Sequence, residues 1–272
     1  MPLTPSQRFV ADVLRPFRTE HSYVAGGVAL NREWPRLSDD MDIFHDRRNE
    51  LPDAVEPELQ ALQDKGVSVE ITTRDERMVE AILRIYGFET KVQWLDEPET
   101  CRRFFPALHD EELGYRLHQA DVAVNKVLCA SRRRQAPRDA VDLANVVTRY
   151  APLGPLVWAA MGKNPDLTPA RVIRDIRSIA FGYSNEEVVA VRMEGDGPMT
   201  REELRGILGP ALDRASDYCD DVAPIDHVGC LFIDANKVPI EADDESIANR
   251  TAKAIPVRDF GITKLSSDHR AG

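Results

Sequence analysis

The sequence lacks the features of a membrane-embedded or exported protein. Its 272 residues contain no apolar run long enough to cross a bilayer, which takes about 20 residues. The chain also does not open with a charged, then apolar, then small-residue leader. We therefore expect a cytoplasmic protein with no transmembrane segment, no signal peptide and no membrane partner.

Cysteine is scarce, and its spacing argues against two kinds of site. The four cysteines, Cys101, Cys129, Cys219 and Cys230, are far apart and form no C-x-x-C pair. A structural zinc site or a disulfide framework would show more closely paired spacings. We expect these thiols to be reduced and structural.

Positive charge is also in short supply. The 35 lysines and arginines are outnumbered by 46 aspartates and glutamates, which gives a formal net charge of −11. Broad, non-specific binding of nucleic acids depends on neutralising phosphates, so this balance argues against it. A local basic patch is still compatible with the total, and the run Arg132–Arg134 is the densest one.

A chain of this length can bury one sizeable core and a smaller second one. The hydrophobic pattern predicts an α+β protein in which a small mixed sheet with flanking helices is followed by a helical domain. We expect domains over residues 1–118 and 119–222, and a short strand pair with an irregular tail over residues 223–272.

Local patterns predict several individual elements. Residues 6–18 have helical spacing with Ser6 as N-cap. Residues 82–86 and 88–94 favour a hairpin around Gly87, although a helix up to Tyr86 also fits the first segment. The remaining predictions are a strand over 67–72, a helical pattern over 121–147 that breaks near Pro137, strands over 228–233 and 238–240, and an irregular tail over 243–272.

The most informative stretch is YVAGGVALNREWPRLSDDMDIF, residues 23–44. A short apolar run breaks at Gly26-Gly27, and a helical stretch then ends before Pro35. The next segment is extended, so Asp40 and Asp42 project from one face of a strand.

Two neighbouring carboxylates oppose each other's ionisation unless a cation lies between them. Mg²⁺ is commonly held by one or two carboxylates together with substrate phosphates. The glycine pair permits close approach of a ligand to the backbone, and the start of the following helix favours an anion. The stretch therefore predicts a metal site at Asp40 and Asp42 and a phosphate site at Gly26 and Gly27.

These residues resemble the signature of the nucleotidyltransferase superfamily. The glycine pair is followed after twelve residues by Asp40-Met41-Asp42-Ile43. With Arg36-Leu37-Ser38 before the acids and Phe44 after them, the motif is similar to that of the AbiEii-type branch known from toxin–antitoxin and abortive-infection systems. The resemblance implies a nucleotidyltransferase-like N-terminal sheet, with Arg36 and Ser38 among the nucleotide-binding residues.

The superfamily commonly has a third acid on a later strand. The corresponding position here is Gln93, which is not a carboxylate, and Asp96 and Glu97 lie just beyond it. The resemblance therefore leaves the third metal ligand open: it is absent, or another part of the chain supplies it.

Residues 121–143, DVAVNKVLCASRRRQAPRDAVDL, extend the resemblance. They are similar to the family's lysine-containing helix followed by an Arg-Asp-x-x-Asp-Leu segment. Lys126 is then a phosphate-binding cation, and Asp139 or Asp142 is the further catalytic acid. Without the resemblance, Lys126 would be read as a surface lysine with a buried stem.

The resemblance implies a metal-dependent enzyme that moves a nucleoside monophosphate from an NTP to an acceptor hydroxyl. An RNA 3′ hydroxyl, such as the end of a tRNA, is the leading acceptor, and a protein or small-molecule hydroxyl is an alternative. A cognate antitoxin is a possible partner. The competing hypotheses are a catalytically inactive nucleotide- or RNA-binding relative and a protein that serves only to pair with a partner.

Overall fold

A computed structural model describes residues 3–48, 51–96, 102–134, 136–195 and 197–263 of the chain. Glu97 and Cys101, which were named above, lie outside these ranges. The fold is mixed α and β, as the hydrophobic pattern predicts. Within the described ranges, no helix combines the length and the apolar composition needed to cross a membrane.

The strands are short to medium in length. They are β1 (Ser22–Ala25), β2 (Asp40–His45), β3 (Arg47–Arg48), β4 (Ser68–Arg74), β5 (Met78–Ile85), β6 (Phe88–Leu95), β7 (Arg102–Arg103), β8 (Leu108–Asp110), β9 (Gly114–Arg116), β10 (Leu231–Ile233), β11 (Lys253–Ile255), β12 (Arg258–Asp259) and β13 (Ile262–Thr263).

Most helical residues of the described ranges lie after residue 118. The helices are α1 (Pro5–Leu14), α2 (Gly26–Leu30), α3 (Leu51–Asp64), α4 (Gln119–Ala130), α5 (Pro137–Arg149), α6 (Leu153–Lys163), α7 (Pro169–Ala180), α8 (Asn185–Val189), α9 (Arg201–Asp217) and α10 (Asp244–Ala248).

Seven strands form the main sheet, in the order β4-β5-β6-β2-β1-β9-β8. The pairs β1/β2 and β5/β6 are antiparallel, whereas β2/β6 is parallel. The predicted hairpin is confirmed: β5 and β6 are joined at Tyr86 and Gly87, whose φ angles are 49° and 82°. Positive φ at both turn residues suits a two-residue hairpin turn, and this local geometry disfavours the helical alternative.

The two faces of the sheet are buried in different cores. On β2, Met41 and Ile43 join the core that includes residues of α1 and α3. Phe44 belongs to the other core, which includes buried residues of α4 to α9. Asp40 and Asp42 share the face of Phe44, because side chains alternate along a strand. The predicted separation of acids from apolar residues on β2 is therefore confirmed.

Helices α4 and α5 follow the predicted break. Pro137 is the first residue of α5, where its missing N–H costs no intrahelical hydrogen bond. The helices pack against each other and bring residues near 126 and 139 together. This packing brings Lys126 of α4 and Asp139 of α5 within hydrogen-bond distance.

Two local predictions are wrong. Thr4 rather than Ser6 caps α1: the Thr4 hydroxyl accepts a hydrogen bond from the N–H of Gln7, whose side chain returns to the Thr4 N–H. This reciprocal capping box satisfies two helix donors, which Ser6 inside the helix does not do.

The tail is not irregular over residues 243–263. Asp243 caps α10, and β10 pairs with β11. The predicted pairing of residues 228–233 with 238–240 is confirmed in shorter form: Ile233 and Pro239 form an antiparallel bridge, and the N–H of Ile240 donates to the carbonyl of Phe232 at 3.1 Å. The tail strands take their hydrogen bonds from distant segments, and β12 pairs with β7.

A buried ion pair links the first loop of the chain to α3. Arg18 and Glu58 are both buried, and the guanidinium of Arg18 donates to the Glu58 carboxylate. The indole N–H of Trp94, on β6, donates to the other oxygen of Glu58 at 2.7 Å. Burial raises the pKa of Glu58 despite the opposing charge of Arg18.

We predict that Arg18→Met lowers the free energy of unfolding by about 3–5 kcal/mol, because it leaves a buried carboxylate without its cation. The matched control is Arg8→Met, since Arg8 pairs with Glu112 at the surface. An exposed pair is worth about 0–1 kcal/mol. Urea denaturation of both variants measures the difference, and equal losses would contradict the special role of the buried pair.

Candidate active site

A cavity of about 260 Å³ lies on the acid-bearing face of the sheet, between β2, β6 and helices α4 and α5. We call it the acid cavity. Its lining contains three carboxylates and five cationic side chains, so it is locally basic in a protein of net charge −11. The carboxylates are Asp40, Asp42 and Asp139, and the cations are Arg36, Lys91, Lys126, Arg133 and Arg138.

The register of β2 with its two neighbouring strands fixes the positions of Asp40 and Asp42. Asp42 lies opposite Ala25 of β1 and Gln93 of β6, and Asp40 lies opposite Lys91. Because β2 has a paired strand on each side, its backbone is held from both edges. The sequence prediction that Asp40 and Asp42 line one site is therefore consistent with the register and with the cavity lining.

The glycine pair makes room for the side chains of the site. Gly26 has φ of +60°, and a Cβ placed on it would overlap the carboxylate of Asp42. A Cβ on Gly27 would overlap the guanidinium of Arg36 and lie 2.6 Å from Oγ of Ser38. Both glycines line the cavity, so their lack of a side chain lets these groups approach the backbone.

Three groups hold the Asp40 carboxylate in place. The Ser38 hydroxyl donates to Oδ1 at 3.1 Å. Nη1 of Arg138 lies 3.2 Å from Oδ2, and Nζ of Lys91 lies 3.9 Å from the same oxygen. Ser38, which the resemblance places in nucleotide binding, here orients the first acid.

The ionised form of the second acid, Asp42, is electrostatically unfavourable without an additional cation. Burial, followed by the charge of Asp40, raises the pKa of Asp42 to about 6. The nearby charges of Lys126, Arg138 and Arg133 oppose that rise without cancelling it. A carboxylate in this environment is stabilised by an additional cation.

Lys126 joins the two acids of α5. Its Nζ lies 2.9 Å from Oδ1 of Asp139 and 2.8 Å from Oδ2 of Asp142. Burial alone would lower the pKa of Lys126, but the charges of Asp142 and Asp139 outweigh burial and raise it. The ammonium is therefore firmly charged, and it lines the cavity while held by both carboxylates.

Asp139 and Asp142 have different surroundings. Both are buried, but Asp142 is not part of the cavity lining and both of its oxygens are bound by Arg36. Asp139 lines the cavity, and its Oδ2 atom has no hydrogen-bond partner among the described residues. Of the two acids that the sequence left as alternatives, Asp139 is the one that a bound molecule would meet.

Arg36 binds the buried carboxylate of Asp142. Its guanidinium binds both oxygens of Asp142, and Nη1 donates to the carbonyl of Leu37 at 3.0 Å. Burial alone would lower the pKa of Arg36, but the charge of Asp142 helps to raise it above the usual value. Arg36 is almost completely buried, so its main contact is structural even though it lines the cavity.

The structure provides no carboxylate at the position of the third acid on β6. Gln93 lines the cavity and donates its amide to Oε2 of Glu80 at 2.6 Å. Asp96 is buried outside the cavity lining. Across the described ranges, no group of three or more histidine, cysteine, aspartate or glutamate side chains is arranged to hold a metal ion. The donor set is thus two carboxylates, which fits Mg²⁺ when substrate phosphates complete the coordination.

Comparison with known proteins gives no match. No family model matches the chain, and neither does a curated protein or a solved structure. Function is therefore inferred from the chemistry of the acid cavity.

A larger cavity of about 550 Å³ lies between the end of α5 and the segment before α9. Its charged lining residues are Arg149 and Glu203, and Glu203 is already used to cap α9. Methionine and proline side chains make up much of the rest. Size alone does not make it the better candidate, because the described residues that line it include no paired acids and no clustered cations.

Sequence reasoning missed three cations of the acid cavity, Lys91, Arg133 and Arg138. Two of them carried a usable signal. Lys91 is two residues before Gln93 and so shares its face of β6. Arg138 directly precedes Asp139 in the segment that resembles the family motif. Arg133 belongs to the basic run Arg132–Arg134 in the sequence, and only the packing of the α4–α5 loop places it in the cavity.

We predict that Asp42→Asn stabilises the metal-free protein above about pH 6, by about 2–3 kcal/mol. The pKa of Asp42 is higher in the folded than in the unfolded chain. The contribution of Asp42 to the stability of wild type therefore becomes unfavourable as pH rises from about 4 to about 6, whereas a neutral amide contributes no such change, so the difference between the two proteins grows over this range. Urea denaturation in the presence of a chelator, across this pH range, measures the effect.

The control for this prediction is Asp39→Asn. Asp39 precedes the pair but is exposed and pairs with Arg192 at 3.0 Å, so its replacement should have a small effect at every pH. A stability difference between wild type and Asp42→Asn that does not vary with pH would contradict the electrostatic argument.

Proposed function

We propose that this protein is a metal-dependent nucleotidyltransferase that moves a nucleoside monophosphate from an NTP to an acceptor hydroxyl. The observation that carries the proposal is the acid cavity, where Asp40 and Asp42 share one strand face within a ring of cations. The resemblance of residues 23–44 and 121–143 to the AbiEii-type branch of the superfamily points to the same chemistry.

The cations of the cavity suit a triphosphate. Arg133, Arg138 and Lys91 line it from three segments, and guanidinium groups bind phosphate oxygens in pairs. The volume of about 260 Å³ is below the range usual for drug-sized ligands, roughly 300–1,000 Å³. The cavity therefore fits the phosphates of an NTP, and the base would lie outside it.

In the proposed reaction the acceptor oxygen forms a bond to the α-phosphorus while the bond from that phosphorus to the bridging β-phosphate oxygen breaks. Pyrophosphate leaves with the bonding electron pair. When bound at Asp40 and Asp42, Mg²⁺ would supply charge neutralisation for the phosphates. Oδ2 of Asp139, free of other hydrogen bonds among the described residues, would orient the acceptor hydroxyl and take its proton.

The test is transfer of radiolabel from each NTP, with Mg²⁺, to total RNA, to protein and to small hydroxyl compounds. We predict that Asp40→Asn and Asp42→Asn each lower turnover about 100-fold or more, because positioning and charge stabilisation provide most of the rate in such transfers. Asp39→Asn, next to the pair but exposed, should keep wild-type turnover. Wild-type turnover in either acid variant would refute the metal assignment.

Two variants of α5 separate a reacting acid from a structural one. Asp139→Asn should lose most of the turnover and keep most of the stability, because its side chain lines the cavity and Lys126 retains Asp142 as an ion-pair partner. Asp142→Asn should instead lower the free energy of unfolding by about 3–5 kcal/mol, because it uncouples the buried cations Arg36 and Lys126 from their shared carboxylate. Thermal denaturation and turnover measured side by side distinguish the two. A destabilised Asp139→Asn, or a stable but inactive Asp142→Asn, would reverse the assignment.

One observation favours a second candidate, a catalytically inactive nucleotide binder. The neighbouring strand carries Gln93 where the superfamily commonly has an acid. Such a protein would bind NTP in isothermal titration but would transfer label to no acceptor. An antitoxin partner remains a prediction from the resemblance alone.

A further inference from the structure

A second basic surface lies on the other side of the α4–α5 loop. It is a groove of about 430 Å³ between that loop and α7, lined by four arginines, Arg132, Arg134, Arg171 and Arg174. We call it the arginine groove. Asp175 is the acidic residue in its lining, and Ser131 and Ser178 supply hydroxyl groups.

The loop places consecutive arginines on opposite sides. Arg133 lines the acid cavity, where its charge acts on Asp42, while its neighbours Arg132 and Arg134 line the groove. The sequence predicts one patch from Arg132 to Arg134, and the structure divides that run between two sites. Adjacent residues of one loop therefore line the acid cavity and the groove.

Helix α7 completes the groove with residues that the sequence pattern did not single out. Nε of Arg171 lies 3.6 Å from Oδ2 of Asp175, and Nη2 of Arg174 lies 3.2 Å from Oδ1. One carboxylate thus holds two exposed guanidinium groups side by side. With the two loop arginines, the lining has four positive charges against one negative charge.

Such a concentration of arginine is unusual for a chain with net charge −11. Long-range attraction from the whole protein does not favour a polyanion, so binding of one requires a local site of this kind. Guanidinium groups bind phosphate oxygens in pairs, and the Ser178 hydroxyl beside them is a further donor, whereas that of Ser131 already donates to the carbonyl of Leu128. No aromatic side chain is among the described residues that line the groove, so it is suited to a sugar-phosphate backbone rather than to stacked bases.

We propose that the arginine groove binds the phosphates of a single-stranded nucleic acid whose end enters the acid cavity. The inference rests on the proposed function in one respect, that the hydroxyl at this end is the acceptor. The groove contacts the backbone upstream of that end, and Arg133 stands at the junction of the two sites. Binding is independent of base sequence, because contacts between charged side chains and a sugar-phosphate backbone carry no sequence information.

The test uses the full chain and a fluorescein-labelled single-stranded oligoribonucleotide, with no NTP or Mg²⁺ present. Fluorescence anisotropy gives the affinity between about 50 and 200 mM salt, for wild type and for the double variant Arg171→Ala/Arg174→Ala. Each phosphate contact on a single strand contributes about 0.7 to the slope of log affinity against log salt. The double variant should therefore flatten the slope by about 1.4 and lower the affinity about 25-fold at 0.1 M salt.

Two control variants accompany this measurement. Arg171→Lys/Arg174→Lys keeps the charge and should keep most of the slope. Arg74→Ala/Arg84→Ala makes the same change in net charge at the far edge of the sheet, where both arginines are exposed and paired with glutamates. It should keep the wild-type slope, and an equal loss in this control would show only an effect of net charge and overturn the assignment of the groove.

Other outcomes separate the groove from the reaction. If Arg171→Ala/Arg174→Ala lowers the affinity for ATP as much as that for the oligonucleotide, the groove belongs to the nucleotide site and the proposal is overturned. An unchanged oligonucleotide slope, or binding only of an acidic peptide probe of equal charge, also overturns it. If the slope changes as expected but no acceptor is labelled, the groove stands and the proposed transfer fails. If an acceptor is labelled but the slope is unchanged, the proposed transfer stands and the assignment of the groove fails.

Discussion

The site depends on the hydrogen bonds and ion pairs of the buried carboxylate of Asp142. This carboxylate accepts hydrogen bonds from Arg36, which precedes β2, and from Asn31, which follows α2, and it pairs with Lys126 of α4. The surrounding charges lower the pKa of Asp142 in spite of its burial. Removing any one charge would leave the others in a medium of low dielectric constant, at a cost of about 3–5 kcal/mol. The sheet and the helical part of the chain are therefore held in one relative position where the acid cavity forms.

This arrangement frees other groups for ligands. Since Asp142 shares the charge of Lys126, Asp139 keeps one oxygen without a hydrogen-bond partner among the described residues. On the sheet side, Asp40 is balanced by Arg138 and Lys91, while Asp42 is destabilised by its burial and by Asp40. The cavity thus contains an anion, Asp42, that an added cation would stabilise. It also contains cations that can bind phosphates. A metal–triphosphate complex presents both kinds of charge together, which is why its binding would relieve the imbalance.

Charge is distributed unevenly over the molecule. Acids outnumber bases by 11 along the chain, yet the α4–α5 loop carries arginines toward two cavities. An overall negative charge discourages non-specific attachment to nucleic acids, and a narrow basic surface restricts any such contact to one place. The position of Arg133 between the acid cavity and the arginine groove connects the two sites through a single loop. The proposed acceptor would be selected by its ability to reach both.

The sequence by itself determined the features that depend on local geometry. Alternation put Asp40 and Asp42 on one face, positive φ at Tyr86 and Gly87 closed the hairpin, and Pro137 separated α4 from α5. The family-like motif also aligned Gln93 with the acids. Tertiary structure alone decided which residues meet across long separations in the sequence. It pairs Asp142 with Arg36 and places Asp139 in the lining of the acid cavity. It also places Arg133 in a different site from Arg132 and Arg134, and it pairs the tail with distant strands. The physical reason is that periodicity and turn chemistry act over a few residues, whereas the choice of a charge partner about a hundred residues away follows from how helices and sheet pack.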